Sequence, residues 1–360
     1  GGWFLSDDSA NYRKYEIPAD TSLQGGMFLL FDEGDFNTGA GLVDFTLEGN
    51  RGDDLYLLEA DSFGNLVRFV DRVEFGAAAE NESFGRWPDS SGNLFPMLTQ
   101  TPTAPNDAAG NSVRVGSVVI SEVMYNPSGS PDNGFEYIEI CNAGPVIEEL
   151  ANWSLRGEAD YDFSAGALAP GDVLIVVGFD PDNDLASRDS FLGTYPSATP
   201  AQLRGPWSAG FANLLDNGGA AIRLERAGRL VSPHGESPFY PALFEDAVIF
   251  NDTAPWPTSP DGSGPSLTRI SPAIYGDNPA NWQGDDPSPG IHQTSTTPYS
   301  AWAAASGLGA GPGAHPFSDF EQDGIPNLLE FALGSDPTTR DLALLPQPGM
   351  QAVEVDEQTS

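Results

Sequence analysis

Cysteine and lysine are nearly missing from this sequence: Cys141 and Lys14 are the single examples of each. One cysteine excludes an intrachain disulfide. A lone thiol in an apolar stretch reads as a small buried hydrophobe, because no base is indicated beside it to make it a nucleophile. Positive charge is scarce, with 15 basic against 52 acidic residues and a net charge of −37. Such a chain repels nucleic acid and anionic membrane, both polyanions. The acidity suits solubility in a salty medium, where screening shortens self-repulsion, and it can attract divalent cations. The histidines, His234, His292 and His315, are scattered among Pro and Gly with no zinc-type spacing. No apolar run is long enough to span a bilayer, so no membrane insertion is expected. Neither a Gly-x-Ser-x-Gly elbow nor a phosphate loop occurs. The chain is expected not to be an enzyme.

Glycine and proline, by contrast, are abundant, 41 and 31 residues. They punctuate short apolar runs, the composition of an all-β protein rich in turns. Strands are expected at 27–31, 42–47, 55–59, 66–70 and 72–75, with a hairpin loop over 61–65. Further strands are expected at 118–124, 136–141 and 173–177. The last is a continuous apolar run, as in a strand buried on both faces.

The chain also repeats itself. Trp3-Phe4-Leu5-Ser6 answers Trp153-Ser154-Leu155-Arg156, and the run from Leu23 to Asp32 answers that from Leu168 to Val177. The stretch 52–58 answers 218–224, and Asp71-Arg72-Val73-Glu74-Phe75 answers Asp246-Ala247-Val248-Ile249-Phe250. Ser83-Phe84-Gly85-Arg86 answers Ser266-Leu267-Thr268-Arg269, and the Pro-rich stretch 101–105 answers 286–290. Units of this size mark tandem domains rather than a solenoid. The second copy opens with Ile120-Ser121-Glu122-Val123-Met124-Tyr125-Asn126-Pro127 and Phe135-Glu136-Tyr137-Ile138-Glu139-Ile140, for which the first copy has no counterpart before Trp3. The upstream part of a longer polypeptide is therefore the expected partner of the first copy.

These segments, with Trp153-Ser154-Leu155, Leu214-Leu215-Asp216-Asn217-Gly218-Gly219, Asn281-Trp282 and Asp286-Pro287-Ser288-Pro289-Gly290, resemble the lamin tail domain family. The resemblance implies an immunoglobulin-like β-sandwich, tandem here, and a layout similar to large secreted proteins of marine bacteria. The family brings no catalytic residues to carry over. The expected organisation is an N-terminally incomplete sandwich over 1–106, a linker over 107–116 and a complete sandwich over 117–292. A helical calcium-loop element follows over 293–345, with helices near 300–308 and 327–334, and then the start of a truncated segment over 346–360.

The strongest chemical signal is Asp319-Phe320-Glu321-Gln322-Asp323-Gly324-Ile325-Pro326-Asn327-Leu328-Leu329-Glu330. It follows the calcium-loop pattern except for Glu321 at the third position. Hard oxygens from Asp319, Glu321 and Asp323, the Ile325 carbonyl, Asn327 and Glu330 would curl around calcium, with Gly324 allowing the turn. The segment resembles calcium loops of dockerin-like and thrombospondin type 3 repeats. The competing reading is an acidic turn that caps a helix. Asp180-Pro181-Asp182-Asn183-Asp184 alternates carboxylates but lacks the Gly and the closing acid, and reads as a solvated loop. Glu122, Glu136 and Glu139 read as sheet residues rather than a glycosidase pair. Arg51-Gly52-Asp53 reads as a turn.

Two function classes follow. The first is a structural or adhesive spacer, extracellular or at the cell surface, made rigid by calcium. The alternative is an accessory carbohydrate-binding module of a secreted hydrolase. It draws on two inserted loops, 180–210 and 228–245, and on Phe239, Tyr240, Trp207 and Trp256, which lie in or near loops beside prolines, Trp256 reading equally as a family packing position. Extracellular polysaccharide or another copy of the chain are the further candidate partners.

Overall fold

The computed structural model describes residues 2–39, 44–108, 110–129, 134–209, 213–291, 306–308, 318–327 and 337–340. The chain divides into two compact units, Gly1–Gln293 and Thr294–Ser360. The fold is all-β and immunoglobulin-like, and both copies of the repeat lie in the first unit.

In the first copy, β1 (Trp3–Ser6), β2 (Tyr15–Glu16), β3 (Gly52–Ala60) and β4 (Leu66–Gly76) form an antiparallel sheet in the order β2-β1-β3-β4. A short helix, α1 (Glu33–Phe36), is capped by the Asp32 side chain. β5 (Phe84–Trp87) and β6 (Asn93–Pro96) pair separately as a hairpin. The turn from β3 to β4 is held by Asp61, whose Oδ1 accepts the N–H groups of Phe63 and Asn65, both at 2.8 Å.

The second copy is a closed sandwich. Its first strands are β7 (Val118–Met124), β8 (Tyr137–Asn142), β9 (Glu148–Glu149), β10 (Ser154–Gly157), β11 (Ala159–Asp162), β12 (Ala167–Leu168) and β13 (Val173–Val177). Then come helix α2 (Leu185–Thr194), β14 (Leu203–Arg204), β15 (Ser208–Ala209), β16 (Gly219–Ala227), β17 (Ala242–Asn251), β18 (Ser266–Arg269) and β19 (Trp282–Asp285). One sheet runs β14-β13-β8-β7-β18-β19 and the other β15-β11-β10-β16-β17.

Ile120, Ile138, Ile140, Leu174 and Val176 of the first sheet meet Leu155, Ile222, Leu224, Val248 and Phe250 of the second, with Trp153, Trp207, Trp256 and Trp282 in the same core. Burying a large apolar side chain contributes about 1.5–3 kcal/mol, so this layer dominates the stability of the copy. β13 is buried on both faces, as its unbroken apolar run predicts. Leu174 and Val176 face the inter-sheet core, while Ile175 and Val177 pack with Phe191 and Tyr195 at α2. The 180–210 insertion thus supplies a cover for the outer face of the sheet.

The register supports the internal repeat with one correction: Gly52 answers Gly219 rather than Gly218, so the stretch 52–58 answers 219–225. β3 pairs with β4 as β16 pairs with β17: Leu55 opposes Val73 as Ile222 opposes Val248, and Leu57 opposes Asp71 as Leu224 opposes Asp246. Each ladder has a bulge just past that last pair, between Leu57 and Leu58 and between Leu224 and Glu225. Gly52 and Gly219 open the two ladders with φ of +85° and +131°, where a partner-strand carbonyl leaves no room for a Cβ.

Two expectations fail in the first copy. Residues 27–31 are not a strand, and Met27, Phe28, Leu29 and Leu30 are exposed. Their counterpart β13 lies between β8 and β14, and the described first copy offers no strand in the place of β8. Residues 44–47 are not a strand either, and residues 42 and 43 fall outside the described set. The expected linker 107–116 is packed. Val113 is buried and bridges to Met97, and Arg114 bonds Glu82 at 2.9 Å and donates to the Phe244 carbonyl at 2.5 Å. The helices expected near 300–308 and 327–334 lie outside the described residues except at 306–308 and Asn327, and the segment 346–360 lies wholly outside them.

Candidate functional site

Residues 318–327 form a closed acidic loop in the second unit. Asp319 accepts the Asp323 N–H at 3.1 Å through Oδ1 and the Gly324 N–H at 2.8 Å through Oδ2. Asp323 Oδ1 accepts the Ile325 N–H at 2.8 Å, and the Asn327 N–H closes onto the Ser318 carbonyl at 2.8 Å. Gly324 has φ +93° with open space where a Cβ would sit, as the tight turn of such a loop requires. One carboxylate oxygen from each of Asp319, Glu321 and Asp323 lies within 4.8 Å of the others. Asp323, Ile325 and Asn327 are buried. Three carboxylates gathered this closely repel one another, and a hard divalent cation is the natural counter-charge. The chemistry of these three carboxylates fits calcium; Ile325 and Asn327 are buried in the same loop, and Glu330 lies outside the described residues.

The second alternating-carboxylate stretch is a loop and a helix cap. Asp180 Oδ1 accepts N–H groups from Asp182 and Asn183 at 3.0 and 3.1 Å. Asp184 accepts the Ser187 N–H and hydroxyl at 3.1 and 2.7 Å at the start of α2. Hydrogen bonds, led by the Asn183 side chain at Asp180 and the Ser187 side chain at Asp184, hold both carboxyls below the ordinary aspartate value.

Glu122 and Glu139 sit directly opposite each other on β7 and β8, and both are fully buried. Glu122 accepts from the Tyr137 hydroxyl at 2.5 Å, from the Ser266 hydroxyl, and from the Ser288 N–H at 3.0 Å. Glu139 accepts from the Ser121 hydroxyl at 2.6 Å and from the Gly290 N–H at 2.7 Å. Burial, and then the Glu122 charge, push the Glu139 carboxyl up to about 8. The pair pins the Pro-rich stretch 286–290 over the sheet. Glu136 is also buried, and its Oε2 accepts the Leu215 N–H at 3.0 Å. Cys141 is buried with its thiol pushed up to about 12 by desolvation, so it behaves as a small hydrophobe.

The aromatic residues divide. Trp207 and Trp256 are core residues, 1% and 8% exposed, which corrects the expectation that Trp207 stands free for sugar stacking and decides for the packing reading of Trp256. Phe239 and Tyr240 do line a groove of about 780 Å³ between the two copies, together with Arg51, Arg223 and Glu225. Arg51 lies over the Phe239 ring at 4.2 Å and pairs with Glu236. In Arg51-Gly52-Asp53, expected to be a turn, Arg51 ends the turn while Gly52 and Asp53 open β3, and Asp53 accepts the Glu48 N–H at 3.0 Å. His234 is exposed, and His292 and His315 lie outside the described residues.

Sequence reasoning did not single out two charged constellations. Glu245 Oε1 accepts N–H groups from Ser117 and Val118 at 2.7 and 3.3 Å, and its Oε2 lies 3.0 Å from Arg226. The buried Asp246–Arg269 pair grips β7: Asp246 Oδ2 accepts the Ile120 N–H at 2.8 Å, and Arg269 donates to the Ile120 carbonyl at 3.0 Å. The signal for the latter lay in the repeat, where Asp71 and Arg86 occupy the corresponding positions.

Residues 112–237 match the Lamin Tail Domain family, about a third of the chain. The match begins just ahead of β7 and runs past the end of β16. No curated protein matches the chain. Among solved structures, a DUF4876 family protein from Bacteroides thetaiotaomicron is similar, at 13% identity over 68% of this chain and 82% of that one, with a TM-score of 0.31. The matched family is not known for enzymes, and an immunoglobulin-like sandwich fits a structural domain.

Proposed function

We propose that this chain is a non-catalytic spacer of an extracellular or cell-surface protein, with calcium making its C-terminal element rigid. The observation that carries the reading is a contrast between two sets of carboxylates. Glu122 and Glu139, the pair best placed for acid–base work, are sealed and spent on hydrogen bonds to the sheet and to stretch 286–290. Asp319, Glu321 and Asp323, although Asp319 and Asp323 also accept N–H groups of their own loop, bring one carboxylate oxygen each within 4.8 Å of the others beside the turn at Gly324. When bound, calcium would neutralise that cluster and fix the loop against the residues that follow Asn327. Calorimetric titration of the full chain with calcium should show one site, lost in Asp323→Ala. Identical exchange and melting with and without millimolar calcium would contradict it. A hydrolase panel should be blank, and turnover abolished by Glu122→Gln or Glu139→Gln would overturn the non-catalytic reading.

A second reading has one observation in its favour. Phe239 and Tyr240 lie together on a groove with Arg51, Arg223 and Glu225, an arrangement of ring faces and charged hydrogen-bonding groups suited to a polysaccharide. Glycan-array binding that disappears in Phe239→Ala and Tyr240→Ala would move the assignment to a carbohydrate-binding module.

A further inference from the structure

We propose that the open sheet of the first copy is a docking site for one kind of occupant: a pair of antiparallel strands with the chemistry of β7 and β8. The second copy shows what the first lacks. There, β7 and β8 fill the sheet between β18 and β13. In the repeat β5 answers β18 and residues 27–31 answer β13, and in the first copy no described strand joins them. One strand would not close the gap, because β18 and β13 are two strands apart.

The first copy buries the other face of its sheet, through Phe4, Tyr56, Leu58 and Ala60, and leaves the face that answers the sandwich core less covered. Trp153, Leu155, Ile222, Leu224, Val248 and Phe250 are buried in the sandwich. Their counterparts Trp3, Leu5, Leu55, Leu57, Val73 and Phe75 are only half-buried. The hairpin covers part of this face, since Phe75 meets Phe84 with ring centroids 6.1 Å apart. A strand pair with inward apolar side chains would cover the rest.

The ion pair supplies the specificity. Asp71 and Arg86 are 2.8 Å apart, and Arg86 also donates to the Gly92 carbonyl, as Arg269 donates to the Ile274 carbonyl. Side-chain exposure is 27% for Arg86 and 54% for Asp71, against 1% and 5% for Arg269 and Asp246. The buried pair is covered because it clamps both backbone groups of Ile120 on β7. Asp71 and Arg86 keep the pair and leave it partly exposed, closed for the present on Arg72, whose N–H donates to Asp71 at 2.9 Å and whose carbonyl accepts from Arg86 at 3.1 Å; an occupant would take over these contacts. An incoming strand would donate one N–H to Asp71 and offer the same residue's carbonyl to Arg86. In the second copy β8 leads to Trp153 through residues 143–152, so the occupant approaches the first copy from the Trp3 side.

The test is a full chain carrying a duplicate of residues 117–152 joined directly ahead of Trp3, the junction that Asn152 and Trp153 make naturally. Amide exchange at 27–31 should slow by at least about tenfold, and Asp71→Ala in the same chain should restore fast exchange. Unchanged exchange in a folded chain would overturn the proposal. If the duplicate prevents folding, a labelled peptide of residues 117–142 added to the unmodified chain decides. Saturable binding lost in Asp71→Ala supports the site, and no binding up to the peptide's solubility overturns it. Protection of 27–31 in the unmodified chain, appearing only as it dimerises, would mean that a second copy covers the face and would also overturn it.

Discussion

Glu139 shows how a single buried carboxyl ties stability to pH. Its folded value is raised to about 8 from an ordinary value of 4.5, first by burial and then by Glu122. The folded state therefore holds the proton more tightly than the unfolded state. The resulting stabilisation is complete below about 4.5 and is lost as pH rises towards about 8. Glu139→Gln keeps an acceptor for the Gly290 N–H and has no charge to bury. Urea midpoints for this variant should fall less than those of the parent between pH 5 and 8, by an amount worth a few kcal/mol. Parallel curves would show that Glu139 does not carry the dependence. The duplicated ion pair gives a second prediction. Asp246→Ala leaves Arg269 buried without its carboxylate partner and should cost roughly 3–5 kcal/mol. Asp71→Ala removes a solvent-screened pair and should cost under about 1 kcal/mol. Equal losses in denaturant titrations would mean that the two pairs share one environment.

Among the elements, the acidic loop showed its turn at Gly324 in the sequence, because a glycine at that spacing allows the positive φ the turn needs. Gly324→Ala tests it locally. The alanine has room but must adopt φ near +93°, a strain on the order of 1 kcal/mol, so calcium affinity should fall several-fold without disturbing the first unit. An unchanged affinity would mean that the turn is not part of the ion site. The strand β13 was equally legible, since five successive apolar residues have to be buried on both faces. Residues 27–31 carry the same kind of run, yet 27–30 are exposed, because a strand is defined by its neighbours as well as by its own pattern. Trp207 misled, and Trp256 stayed open between two readings, for a related reason. Neighbouring prolines mark a turn in the backbone but do not say which way the indole points, and both indoles point into the core. The Glu245 and Asp246 constellations were hidden because their partners lie far away in sequence, at Ser117, Ile120 and Arg269.

At the scale of the molecule, the two copies share one compact unit and unequal closure. Arg114 joins them, with Glu82 of the first copy at 2.9 Å and Glu245 of the second at 3.6 Å. Phe95 adds edge contacts with Phe244 and Tyr275 at 6.0 Å. The second copy has a sealed core and a covered outer sheet face, whereas the first has a half-open one. Native-state amide exchange on the unmodified monomer tests this inequality most directly, residue by residue. Amides of Val173–Val177 and Tyr137–Asn142 should be protected to the level of global unfolding, while those of 27–31 exchange freely and β3 and β4 fall between. Protection at 27–31 equal to that at Val173–Val177 in a monomer would contradict the account, since the first copy would then be a closed sandwich like the second.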